Sequence, residues 1–76
     1  MKGYALKRVL INVKNKAVID LLNYAEAEEV IEIHRMILYP YSLQVVEFVM
    51  TVEEKYYDAL IEALKEETTV FERIMD

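Results

Sequence analysis

Tyr4 to Lys14, YALKRVLINVK, alternates along its length. Ala5, Val9, Ile11 and Val13 fall on one side of an extended chain, and Leu6, Arg8, Leu10 and Asn12 on the other. A period of two predicts a strand whose two faces are used differently. Asn15 follows, a good helix N-cap because its side-chain oxygen can accept from the free amides of a first turn. Beyond it Val18, Leu21, Leu22 and Ala25 recur at i, i+3, i+4 and i+7, one apolar stripe of a short helix. Glu26, Glu28 and Glu29 then mark solvent.

Val30 to Tyr39 reads as a second strand, with Ile31, Ile33, Arg35 and Ile37 opposed to Val30, Glu32, His34, Met36 and Leu38. Both sets are largely apolar, so the pattern leaves open which of them is buried. Pro40 favours an extended Tyr39 and presets a turn, and Ser42 can bond to nearby backbone there. The stretch ILYPYSLQ is therefore a hairpin connection. The third strand, Leu43 to Val52, puts Val46, Phe48, Met50 and Val52 on one face and Val45, Glu47, Val49 and Thr51 on the other.

Thr51 and Glu54 have the spacing of a capping box ahead of a second helix. Tyr57, Leu60, Ile61 and Leu64 form its buried stripe, and the acids near its start suit the helix dipole. Thr69 to Met75 is a short last strand.

The order strand, helix, strand, strand, helix, strand is that of a ferredoxin-like α+β fold. Residues 1–76 then form one domain: a four-stranded antiparallel sheet with both helices on one face and the first and third strands central. The other face is open. Leu6, Arg8, Leu10, Val45, Glu47 and Val49 belong to it, and Arg8 and Glu47 are placed to pair across neighbouring strands. Tyr39 and Tyr41, flanking the turn, extend this surface, since tyrosines at such tips pack on neighbours.

Composition sharpens this picture. Apolar residues make up 55% of a chain too short to bury them all, so a partner surface is expected to take the surplus. A net charge of −5 with scattered Lys and Arg excludes a phosphate-binding patch, and no direct nucleic-acid binding is expected. Cysteine is absent, so disulfides and thiolate chemistry are excluded. No apolar run reaches the ~20 residues of a membrane span, and MKGYALKRVL meets charge too early for a signal peptide. The expected location is cytoplasmic, without membrane attachment.

Catalytic constellations are sparse. His34 is the sole histidine; with Glu32 on its own strand face and Glu47 on the next strand it is the one candidate metal or acid–base group. It reads more simply as a strand histidine with acidic neighbours. Ser42 has no relay, and Gly3, the sole glycine, excludes a Gly-rich phosphate cradle. RNA-recognition domains share the topology, but their stacking aromatics on the two central strands are missing here, where Phe48 stands beside Glu47. No catalytic, metal or cofactor-binding residue is assigned.

The stretch EEVIEIHRMILYPYSLQVVEFVMT followed by a helix resembles the middle of small ferredoxin-like regulatory domains. These are the ACT domains, the ligand-binding domains of feast/famine transcription regulators, and sensory domains that precede a helix-turn-helix in some archaeal regulators. The resemblance implies a small-molecule effector. The loop VKNKAV, Val13 to Val18, lacks the glycine through which ACT domains hold amino acids, so no site residue is carried over.

The leading expectation is a non-enzymatic regulatory or assembly module that self-associates through its sheet as a dimer or larger homo-oligomer. The alternative is a small-ligand sensor domain of a transcription regulator, with a pocket between subunits near Asn15, Lys16 and the turn tyrosines. A third reading, a small enzyme built on Glu32, His34 and Glu47, ranks below both.

Overall fold

The computed structural model describes residues 3–39, 41 and 44–73. Its elements are β1 (Tyr4–Asn12), α1 (Lys16–Ala27), β2 (Ile31–Leu38), β3 (Val45–Glu53), α2 (Glu54–Glu67) and β4 (Val70–Arg73). The strands form one sheet in the order β2-β3-β1-β4, antiparallel throughout, which is the ferredoxin-like arrangement with β1 and β3 central.

The alternation in the sequence sets the layers. Val9 and Ile11 of β1 stand opposite Phe48 and Val46 of β3, and all four are buried. Val18, Leu22 and Ala25 of α1 and Leu60, Ile61 and Leu64 of α2 join the same core, so both helices cover this one face. Ile31 and Val70 close the core from the two outer strands.

The helix ends show which local signals operate. Asn15 caps α1 as expected, its side chain accepting from the Ala17 amide at 2.9 Å. At the other end Glu29 adopts φ 62, the left-handed conformation usually given to glycine. The Val30 amide donates to the Ala25 carbonyl and the Glu29 amide to that of Glu26, the two bonds of a Schellman turn.

The capping box at Thr51 does not form. The β1–β3 ladder runs on to Tyr4 opposite Glu53, which holds Thr51 extended inside β3. Glu53 becomes the N-cap, without a side-chain bond, and the Glu54 amide donates to the Gly3 carbonyl at 2.6 Å. Tertiary pairing overrides the local signal. The Thr51 hydroxyl instead lies 2.6 Å from His34 Nε2.

Neither of the two alternating sets of the second strand survives intact, because β2 carries a bulge between Ile33 and Arg35. Ile31 and Ile33 stand opposite Val52 and Met50 on the helix side. Past the bulge the phase flips. Met36 and Leu38, opposite Phe48 and Val46, now take the helix side, while Arg35 and Ile37 face the open side. Met36 and Leu38 are well exposed there, at 66% and 72%.

The hairpin from β2 to β3 is closed by the Tyr39 amide on the Val45 carbonyl at 3.2 Å. Pro40, Ser42 and Leu43, and the end of the expected last strand at Ile74 and Met75, lie outside the described residues.

Candidate functional site

The open face of the sheet is read from the register in rows across the strands. Arg8 of β1 lies opposite Val49 of β3, and Val49 opposite Arg35 of β2. One row on are Leu10, Glu47 and Ile37, with Phe71 of β4 beyond Leu10. On the other side are Leu6, Thr51 and Glu32. Tyr4 opposite Glu53 ends the face. Leu6, Arg8, Leu10, Val45, Glu47 and Val49 are thus brought together as expected.

Glu47 is the one charged residue buried among those described, although it sits on the side no helix covers. Its position explains this. It lies on a central strand between Leu10 and Ile37, with Val45 and Val49 two residues away on either side. Arg8, diagonal to it, donates from Nε to Glu47 Oε2 at 2.6 Å. The carboxylate is therefore desolvated by aliphatic neighbours and matched by a charge-assisted bond.

The apolar part of the face is lopsided. Tyr4, Leu6 and Phe71 are 41%, 50% and 62% exposed, and they lie on the β1 and β4 side. Along β2 the margin is polar, with Glu32, His34 and Arg35 exposed. Sequence reasoning missed Tyr4 and Phe71, and held Ile37 in one of two second-strand sets without deciding between them. Tyr4 shares the parity of Leu6 and was legible; Ile37 needed the bulge, and Phe71 needed the β1–β4 register.

The turn tyrosines behave differently from each other. Tyr39 is half-buried at the hairpin's base, and Tyr41 is wholly exposed. Both lie past the last paired row of β2, at one end of the sheet.

His34 and Glu47, two members of the candidate group with Glu32, are engaged apart from one another. His34 is bonded to Thr51, and Glu47 to Arg8. Thr51 and Glu47 are four residues apart on one strand, a span of about 13 Å. No group of three His, Cys, Asp or Glu that could hold a metal ion occurs among the described residues.

A cavity of ≈ 510 Å³ is lined by Tyr4, Glu26, Glu29, Ile31, Glu32 and Thr51. It lies at the C-terminal end of α1, the opposite end from Asn15 and Lys16. Its carboxylates give it an acidic wall beside a tyrosine ring.

On the helix side a separate polar cluster fastens β4. The Tyr57 hydroxyl donates to Glu72 Oε2 at 2.6 Å, Lys65 Nζ lies 3.7 Å from Glu72, and Lys7 Nζ sits 4.4 Å from the Tyr57 ring centre. Burial, then the bond to Glu72 and the charges of Glu72 and Asp58, push the Tyr57 phenol well above its usual range.

No helix among the described residues is long and apolar enough to cross a membrane. No protein-family model, curated protein or solved structure matches the chain.

Proposed function

We propose that the chain is a non-enzymatic regulatory or assembly module that self-associates through the open face of its sheet. The observation that carries this reading is the exposure of Tyr4, Leu6 and Phe71 on one face around a charge that is already neutralised. Burying an ion pair whose partners are in place leaves no naked charge behind.

Two further features favour a second copy as the partner. Three strands of eight or nine residues about 4.8 Å apart, with the four-residue β4 beside them, give a flat footprint of roughly 450 Å². With side-chain relief added, that area comes within reach of the low end of specific interfaces, about 600 Å² from each partner. In the three middle rows Arg8, Arg35 and, paired with Arg8, Arg73 stand against Glu47 and Glu32, a formal sum of +1, whereas the chain as a whole carries −5. This face escapes the repulsion that two copies meet elsewhere.

Val49→Asp tests the reading, since Val49 is half-buried at the centre of the face and opposite Arg8. The variant should convert an oligomer to a folded monomer; an unchanged mass would reject this surface.

The alternative, a small-ligand sensor domain of a transcription regulator, is favoured by the ≈ 510 Å³ cavity, whose size lies within the range of small-molecule sites. Its acidic wall selects cationic metabolites. A thermal-shift screen of amines against anions should stabilise the protein with amines alone, and no stabiliser in either class would reject it.

A further inference from the structure

The self-association proposed above raises the question of what stops it. An antiparallel sheet with two free edges can grow by strand addition, and an exposed edge strand invites it. In this sheet β2 and β4 are the edges. β4 spans only four residues, and its Glu72 is engaged by Tyr57 and Lys65 on the helix side. The eight-residue β2 is the vulnerable one, with Met36 and Leu38 well exposed on its helix-side face.

Glu26, in the last turn of α1, reaches over this edge. Its Oε2 accepts from the Ile33 backbone amide at 3.1 Å. That amide is one a strand added outside β2 would have to use. The carboxylate occupies the place of an incoming carbonyl and sets a negative charge against the carbonyls that would follow. Immediately beyond Ile33 the bulge interrupts the regular spacing of the outward groups. Hydrogen bond and bulge together close the first half of the edge.

We infer that Glu26 guards the first half of the β2 edge, at Ile33, against strand addition, so that copies of this chain meet through the sheet face and not through edge-to-edge sheet extension. The inference builds on the face reading but has its own observable. Nothing else on α1 is bonded to the β2 backbone between Ile31 and Leu38 among the described residues. Glu26 is exposed and helical, so alanine fits its position without disturbing the core.

The test compares wild-type protein, Glu26→Ala, Val49→Asp and the double variant by sedimentation velocity over a dilution series. Glu26→Ala should form species larger than the wild type, and in the Val49→Asp background it should restore association that Val49→Asp alone has lost. The guard is overturned if folded Glu26→Ala keeps the wild-type mass at every concentration. Should Val49→Asp leave the wild-type mass unchanged, the face reading fails, and the Glu26→Ala comparison still decides the edge. A second measurement needs no variant. The Ile33 amide of the wild type should exchange at least about tenfold more slowly than a free amide at high dilution, and unprotected exchange there overturns the proposal.

Discussion

Arg8 and Glu47 sit diagonally across the two central strands, with Arg8 Nε 2.6 Å from Glu47 Oε2 and the carboxylate almost wholly shielded from water. The pair puts a neutralised charge in the middle of a face of aliphatic and aromatic side chains. It links the packing of the monomer to the surface offered to a second copy.

Arg8→Leu should therefore cost stability as well as alter the face. A charge-assisted bond to a desolvated carboxylate is worth about 1.5–3 kcal/mol. The lower part of that range applies, because the Arg8 side chain retains 36% exposure. Urea unfolding of Arg8→Leu, Glu47→Leu and the double variant should give a coupling energy of about 1 kcal/mol or more. Additive losses would show that the two side chains act independently.

Phe71 separates folding from association. It is 62% exposed at the β4 edge of the open face, opposite Leu10. Phe71→Ser should change the unfolding free energy by no more than about 0.5 kcal/mol, as exposed substitutions do. Its self-association, followed by light scattering, should weaken about tenfold or more, since aromatic anchors carry much of an interface.

Glu29 is a site of backbone strain with no visible compensation in stability. A non-glycine residue in the left-handed region costs roughly 1 kcal/mol. Glu29→Gly should raise the unfolding free energy by about 0.5–1 kcal/mol, measured in urea, because the Schellman turn then forms without that penalty. A destabilised Glu29→Gly would show that the side chain itself is needed at the cavity rim.

Tyr57 gives a pH signature. Its phenol, held above the ordinary value near 10 by burial and by Glu72, keeps its proton in the folded state where the unfolded chain releases it. The stability it contributes is complete below about pH 10 and is lost as pH rises above that, toward the folded-state value. Across this alkaline range the wild type should lose more stability than Tyr57→Phe. Parallel pH curves for the two would remove Tyr57 from the account.

The alternation of β1 and β3 made the fold and most of the open face legible, because each strand is central and keeps its buried apolar residues on one side. Asn15 was readable for the same local reason that it works: a free amide and a short acceptor. Three features escaped. The capping box at Thr51 lost to a ladder that runs two residues further, a long-range pairing no local window contains. The bulge in β2 changed the phase of a strand apolar on both sides, where the sequence had no polar face to reveal the flip. The Glu29 turn uses the left-handed conformation without glycine, so its usual marker was missing.

The most direct test of the account is the molar mass of the wild-type protein by light scattering across a dilution series at neutral pH. A mass of twice 9.0 kDa or a higher multiple, falling to the monomer with Val49→Asp, is the predicted result. A monomer at every concentration would contradict self-association through the sheet.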